Sequence, residues 1–163
     1  MIRKYKTGDE RYIARIYHDA IFQLAVGDYS QEQLQAWANP PVNCDHWRSR
    51  CETKKPFVKE LDGHVVGFIE LDPDGHIDCT YVDPAYSKQG VMSEIMCAIK
   101  KEAKQRNIRR LFAEVSKTAR PFFERQGFVW IRDNVVNARG VSLENFIMEC
   151  YLEAEHGGPV DGA

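Results

Sequence analysis

The chain has 163 residues, of which 44% are hydrophobic and 28% charged, and its formal net charge is −2. This length fits a single domain with its own core, and so small a net charge gives no overall attraction to nucleic acid or membranes. No apolar run approaches the roughly 20 residues of a spanning helix, and the N-terminus lacks the apolar centre of a signal peptide. We therefore predict a cytoplasmic protein with neither a nucleic-acid nor a membrane partner.

The N-terminal third is predicted to be mostly helical. Residues 2–6 alternate apolar and polar side chains, as a half-buried strand does, and apolar residues then recur at helical spacing over 10–25. Ser30 to Gln33 has the order of a capping box, and the short helix it begins ends at Pro40-Pro41. Either Asn43 or Asp45 caps a third helix.

The next 27 or so residues predict an antiparallel meander, since strands joined by tight turns pair with their neighbours. The strands are residues 56–61, 64–71 and 76–82. Asp62-Gly63 is a strong hairpin signal, and Asp72 to Gly75 forms the second turn.

The pattern then changes to alternating helices and strands. We predict a helix over 93–107, a strand over 111–115, a helix over 119–126 ended by Gly127, and two closing strands. Edge strands near the C-terminus could pair two chains into a homodimer. We predict one domain over residues 1–152 and a disordered polar tail over 153–163.

The five cysteines are odd in number and irregularly spaced, which argues against a disulfide framework. Cys44, His46 and Cys51 lie close together, but they lack the paired spacing of a closed zinc site. We therefore predict no metal site.

Gly90 stands between a strand that ends near Val82 and the following helix. The first amides of a helix have no partner within it, and the helix dipole adds a partial positive charge, so phosphate is a natural ligand there. A side chain at position 90 would obstruct a close approach to these amides. From the residues alone, a plain turn remains the alternative, because the sequences of the known triphosphate-binding and dinucleotide-binding loops are absent.

The segment from His76 to Phe128 has the order strand, loop, helix, strand and helix, and it ends in ARPFFERQGF. Here the chain resembles the GNAT family of N-acetyltransferases, which use acetyl-CoA. The family's central signature, Gln/Arg-x-x-Gly-x-Gly/Ala, falls on Ser87 to Met92 and matches only at Gly90. The second, Ala-x-x-Phe-Tyr-Glu-x-x-Gly-Phe, falls on residues 119–128 and differs only at Phe123. The chain also resembles a bacterial subgroup that reads YSxEQLxAWA, IDxxYVxP, ARPFFExxGF and RGxxLxNFxM.

The resemblance implies an α+β protein of the GNAT fold, with flanking helices around a central mixed, mostly antiparallel sheet of six to seven strands. It also implies an acetyl-CoA site, in which amides of the Gly90 loop bind the pyrophosphate and the strand before it contacts the pantetheine arm. Ser116 would reach the pantetheine, and two phenylalanines would flank the thioester. The implied cofactor-binding residues are Tyr81, Val82, Lys88, Gln89, Gly90, Val91, Met92, Ser93, Ser116, Phe122 and Phe123.

The implied activity is transfer of an acetyl group to the amine of a small molecule or peptide by direct attack. The amine must first lose a proton. Asp78 lies mid-strand beside the expected cleft, where burial would raise the pKa of its carboxyl group toward a useful value. His76, two residues earlier on the same strand face, could relay protons, and Glu70 is a third candidate. The alternatives are a structural Asp78, a solvent-exposed His76 and a surface Glu70.

The thioester oxygen needs hydrogen-bond donors, and the leaving thiolate often takes a proton from an acid. The resemblance implies a strand bulge near Val82 whose backbone N–H meets the oxygen. Family members that use a tyrosine as the acid carry it where this chain has Phe123, which cannot donate a proton. Tyr81 is the candidate substitute, and packing is its alternative role.

The acceptor pocket and the function both leave alternatives open. Trp37, Tyr17 and Phe22 on the early helices either line an acceptor pocket or belong to the core. The basic stretch from Lys100 to Arg110 is typical of a solvated helix face. The missing tyrosine also favours a non-catalytic acyl-CoA-binding or regulatory module, and an unrelated interaction domain is a third interpretation.

Overall fold

The computed structural model describes residues 1–153, which form seven strands and five helices. The strands are β1 (Ile2–Lys4), β2 (Phe57–Leu61), β3 (His64–Leu71), β4 (Ile77–Val82), β5 (Arg110–Ser116), β6 (Val129–Ala138) and β7 (Val141–Tyr151). The helices are α1 (Glu10–Leu24), α2 (Gln31–Ala38), α3 (Cys44–Lys54), α4 (Val91–Gln105) and α5 (Arg120–Arg125), and a 3₁₀ turn covers Pro84–Tyr86. Within these residues, no helix combines the length and the apolar character needed to cross a membrane.

The strands form two antiparallel sheets, ordered β1-β2-β3-β4 and β5-β7-β6. A single parallel bridge between His76 and Phe112 joins them at one end. Gly75 allows this junction, because a Cβ there would lie 2.0 Å from the carbonyl oxygen of Arg110. Beyond the bridge, the described pairings leave β4 and β5 unconnected, so a cleft opens between the two sheets.

The main core lies between the sheets and α4. The apolar face of α4 is buried at five positions, as its helical spacing predicts: Val91, Ile95, Met96, Ile99 and Ala103. A second cluster packs α1 and α3 against the other face of the first sheet, around the fully buried Phe68. Both strands that border the cleft, β4 and β5, are fixed by the main core, which contains Ile77 of β4 and Leu111 and Val115 of β5.

Local signals account for the short helices. The Ser30 hydroxyl accepts from the Gln33 amide, and the Gln33 side chain accepts from the Ser30 amide, so the predicted capping box is present. Asn43, rather than Asp45, caps α3 by accepting from the His46 amide. The left-handed conformations of Asp62 and Gly63 agree with the predicted hairpin turn.

The α+β fold class is confirmed, with the seven strands divided into sheets of four and three. The expected bulge lies elsewhere: Asp78 and Cys79 of β4 stand opposite the single residue Glu70, several residues before Val82. The extra residue of a bulge re-aims neighbouring side chains, and here it affects Asp78. The single domain and the homodimer stay predictions, and the predicted tail lies outside the described residues apart from Glu153.

Candidate active site

A narrow slot enters the cleft between β4 and β5. Thr80 and Tyr81 line it from β4, Glu114 and Ser116 from β5, and Phe123 from α5. Strand edges that diverge leave backbone groups without ladder partners, and these are free to bind a ligand.

A larger cavity of about 710 Å³ continues from the slot. The two share a wall made of Trp37, Asp78, Tyr81, Glu114 and Ser116. Helices α1, α2 and α3 and the β6–β7 hairpin supply the remaining walls. A small molecule in the cavity and a thin chain in the slot would therefore meet at this shared wall.

The loop before α4 has the geometry of an anion site. Gly90 is the N-cap of α4 with φ +81°, and Lys88 is also left-handed with φ +60°. Within residues 1–153, none of the backbone N–H groups from Lys88 to Ser93 meets a hydrogen-bond acceptor. A Cβ at Gly90 would meet nothing within 4 Å, so the space over these amides is open. The residues present therefore fit a diphosphate group.

Four side chains at this loop, those of Gln89, Val91, Met92 and Ser93, make other contacts. The side-chain amide of Gln89 donates to the Ala85 carbonyl, and the Ser93 hydroxyl accepts from the Gln126 side chain. Met92 and Val91 pack against the main core. The amides, rather than these side chains, are thus the groups available to a ligand.

Asp78 does not have the electrostatics that we expected of a base. Arg50 and Lys54 donate to its carboxylate at 2.9 and 2.8 Å. Burial raises the pKa of Asp78, but the hydrogen bond from Lys54 and the charge of Arg50 outweigh it, and the net direction is below the ordinary value. The expected upward shift is wrong, because the neighbouring elements supply two cations.

Glu70 is a buried structural charge, which corrects the prediction of a surface position. Its side chain has no exposed area, and Arg50 binds both carboxylate oxygens at 2.9 and 2.7 Å. The same guanidinium joins Glu70 to Asp78, so α3 carries the counter-ion for both carboxylates.

His76 lies partly buried between two carboxylates, whereas the sequence favoured an exposed side chain. Its Nδ1 is 3.1 Å from Asp72 Oδ2, and its Nε2 is 2.6 Å from Glu114 Oε2. Burial lowers the pKa of His76, but the hydrogen bond and charge of Glu114, then Asp72 and Asp78, raise it above the ordinary value. The His76–Glu114 contact links the start of β4 to β5 at the joined end of the cleft, so it can take up and pass on a proton there.

Tyr81 stands at the junction of the slot and the cavity, so the structure brings it to the site. Its hydroxyl oxygen accepts from Trp37 Nε1 at 3.2 Å, and its ring packs against Tyr17 and Phe68. Burial raises the pKa of Tyr81 well above its ordinary value. The phenol is thus protonated at neutral pH, and it keeps its own proton to donate.

The remaining predicted residues divide between the slot and the core. The Ser116 hydroxyl accepts from the Ala119 amide at 3.0 Å and lines the slot. Phe123 is 2% exposed, lines the slot and packs edge-to-face on Phe122 and Phe128. Tyr17 and Trp37 line the large cavity, whereas Phe22 does not.

Within the described chain, one group of possible metal ligands is Asp72, His76 and Asp78, whose ligand atoms lie within 4.8 Å of one another. Lys54 Nζ donates to both aspartates, at 2.8 Å each. An ammonium group therefore already supplies positive charge between these carboxylates.

Sequence reasoning missed Arg50, Glu114 and Arg139, which all line the large cavity. A signal for the first existed: Glu70 is the only charged residue in the otherwise apolar run Val65 to Leu71, and a buried carboxylate requires a cation. Nothing local distinguishes Glu114 from other acidic strand residues.

A helix N-terminus with open amides beside a cleft between splayed strands is the geometry expected of a protein that binds a phosphate-bearing cosubstrate. Comparison with known proteins gives the class. A family model described as an acetyltransferase (GNAT) domain matches residues 25–150. The uncharacterized N-acetyltransferase YafP of Escherichia coli K12 is 32% identical over 147 residues, which cover 90% of this chain and 93% of YafP. The chain belongs to the GNAT acetyltransferase family, whose acetyl donor is acetyl-CoA.

Solved structures agree with this fold. A GCN5-related N-acetyltransferase from Rhodopseudomonas palustris is 33% identical, with a TM-score of 0.87 over 93% of this chain and 95% of that chain. YncA from Salmonella typhimurium, solved with its cofactor acetyl-CoA, has a TM-score of 0.71 over 100% and 98% of the two chains. Its 18% identity supports the fold alone.

Proposed function

We propose that the protein transfers the acetyl group of acetyl-CoA to the amine of a small molecule or peptide, by direct attack of the amine. The open row of amides around Gly90, beside the cleft, carries this proposal. We further place the chain in the bacterial GNAT subgroup with the motifs ARPFFExxGF and RGxxLxNFxM. When bound, acetyl-CoA supplies an activated thioester, and residues of the chain must bind it, remove a proton from the amine and protonate the leaving sulfur.

Binding of the cosubstrate is assigned to backbone groups. The amides from Lys88 to Ser93 hold the diphosphate with the help of the helix dipole. Backbone groups of Tyr81 and Val82, together with the Ser116 hydroxyl, hold the pantetheine arm in the slot. Phe122 and Phe123 form the apolar wall beside the reacting end.

Proton removal from the amine is assigned to the acidic end of the cavity. Asp78 is held by two cations, so it is a weak proton acceptor. The His76–Glu114 pair lines the same cavity, and in the described part of the chain no lysine or arginine pairs with either side chain. We therefore assign the first proton transfer to this pair, with Asp78 fixing the local charge, and proton donation to the leaving sulfur to the Tyr81 hydroxyl.

Phe123 at the position of the family's tyrosine is the observation that keeps a second candidate, a non-catalytic acyl-CoA-binding module. The two functions differ in turnover. Amine-dependent release of free thiol from acetyl-CoA excludes the second, whereas CoA binding without release for any amine of a broad panel excludes the first.

A matched pair of variants tests the site itself. Gly90→Glu and Gly63→Glu both place a carboxylate on a left-handed residue, with φ +81° and +78°, and neither Cβ meets an atom within 4 Å. The backbone strain is therefore comparable, on the order of 1–2 kcal/mol. We expect CoA affinity, measured by calorimetry, to fall at least 100-fold in Gly90→Glu and less than twofold in Gly63→Glu. Equal affinities in the two variants would refute the assignment of the diphosphate to this loop.

A further inference from the structure

The charged side chains that line the large cavity are paired, with one exception. Arg50 pairs with Asp78, Glu114 with His76, and Glu144 with Lys117. Arg139 also lines the cavity, and within residues 1–153 it has no carboxylate within 4 Å. It is thus the one lysine or arginine of the described cavity wall whose charge is not compensated.

Neutral acceptors fix the Arg139 guanidinium in place. Its Nη1 donates to the Ala36 carbonyl at 2.6 Å. With the Asn39 amide oriented so that its oxygen faces the guanidinium, that oxygen accepts from Nη2 and Nε at 3.1 and 3.3 Å. Three of the five N–H donors are thereby used, and one on each terminal nitrogen remains free. Two fixed N–H groups on a full positive charge suit a carboxylate or phosphate oxygen.

The backbone conformation at position 139 does not itself favour arginine. Arg139 and Gly140 form the two-residue loop between β6 and β7, with φ +50° and +82°. Such loops favour Asn-Gly or Asp-Gly, since both central residues are left-handed. The turn therefore places a long cationic side chain at the cavity where a short polar one is the conformational preference.

The opposite charge lies at another wall of the same cavity. Glu114 and Asp78 lie on β5 and β4 near the joined end of the cleft, whereas Arg139 belongs to the β6–β7 hairpin. Tyr17 and Trp37 supply aromatic surface in the cavity. An acceptor bound there meets acidic groups at the cleft, an apolar middle and a cation at the hairpin.

We propose that the acceptor is an amine that also carries an anionic group, a carboxylate or a phosphate, which Arg139 binds while the amine lies at the acidic end of the cavity. This inference rests on the proposed acetyltransferase function and adds the substrate class to it. A purely cationic amine would have no anion to place against Arg139.

The test compares acceptors that carry this anionic group with acceptors that lack it. Thiol release is measured with phenylalanine against phenylalaninamide, and with phosphoethanolamine against ethanolamine, for the wild type and for Arg139→Gln. Arg132→Gln is the control, because Arg132 lies on β6 outside the cavity wall and, within residues 1–153, its side chain hydrogen-bonds only to Asp133 and Asn134. The two pairs separate a carboxylate from a phosphate as the recognised group.

We expect the wild type to prefer the anionic member of at least one pair by tenfold or more in kcat/KM. Arg139→Gln should lose that preference mainly through a higher KM for the anionic acceptor, whereas Arg132→Gln should keep it. Arg139→Lys should keep part of it, because lysine retains the positive charge but lacks the paired N–H donors of a guanidinium group. A wild type indifferent to the acceptor's charge, or an Arg139→Gln variant that keeps the preference, overturns this inference alone. If no amine supports thiol release although CoA binds, the proposed function falls and the inference with it.

Discussion

Replacing Arg50 with methionine is the sharpest test of the contacts that hold the site together. The Glu70 carboxylate has no exposed area, and both of its oxygens accept from Arg50. Removing one partner of a buried pair leaves an uncompensated charge, at a cost of about 3–5 kcal/mol. In a protein of this size, each kcal/mol lowers Tm by about 2–4 °C, so we expect a fall of about 6–20 °C.

The double variant Arg50→Met/Glu70→Leu separates loss of the pair from loss of the unpaired charge. Replacement of a buried ion pair by apolar side chains is often neutral, so the double variant should recover to within about 1 kcal/mol of the wild type. Arg106→Met is the surface control, because Arg106 pairs with Glu102 one turn away on α4, and such pairs contribute about 0.3–0.5 kcal/mol. Urea unfolding at pH 7 measures all four proteins. An Arg50→Met loss below about 1 kcal/mol, or a double variant no more stable than the single one, would refute this reasoning.

Three further predictions concern protonation. Burial alone would raise the pKa of Glu10, but hydrogen bonds from backbone amides and Arg48 lower it to about 2. The ionised Glu10 carboxylate therefore contributes fully to the free energy of unfolding above about pH 4.5, and this contribution is lost as pH falls toward 2. Glu10→Gln should therefore destabilise the protein at pH 7 by more than at pH 3, as thermal melts at the two pH values would reveal. Because the pKa of His76 is raised, kcat/KM of the wild type should increase with pH through that raised pKa. Glu114→Gln should move this inflection to lower pH and reduce kcat about 10²-fold. An unchanged pH profile in the variant would contradict the assignment of the base. Tyr81→Phe should reduce kcat about 10²-fold with little change in KM, whereas an equal rise in KM would indicate a packing role only.

The sequence predicted those features that depend on neighbouring residues. The capping box at Ser30 and the turn at Asp62-Gly63 follow from local hydrogen bonding and backbone conformation, and both are present. The pairing of buried charges was harder to predict, because the two partners lie far apart in sequence: Arg50 and Glu70 are 20 residues apart. Whether Glu114 faces His76 depends on how two separate sheets join, and no local pattern encodes that junction.

Stability and site chemistry depend on the same guanidinium, and this explains why Asp78 has a lowered rather than a raised pKa. Arg50 must lie beside β3 to neutralise the buried Glu70, and the bulge in β4 places Asp78 within 2.9 Å of it. The fold therefore puts a cation next to the carboxylate that the sequence favoured as the base, and for this reason we propose the His76–Glu114 pair as the proton acceptor.

The double variant Arg50→Met/Glu70→Leu also tests this division of roles. In it, Asp78 loses the charge of Arg50 but keeps the hydrogen bond from Lys54 and the charge of His76, so its pKa should rise while the fold is retained. If His76 and Glu114 accept the proton, the pH dependence of kcat/KM should keep the inflection set by His76. If Asp78 is the base after all, that inflection should follow its rising pKa.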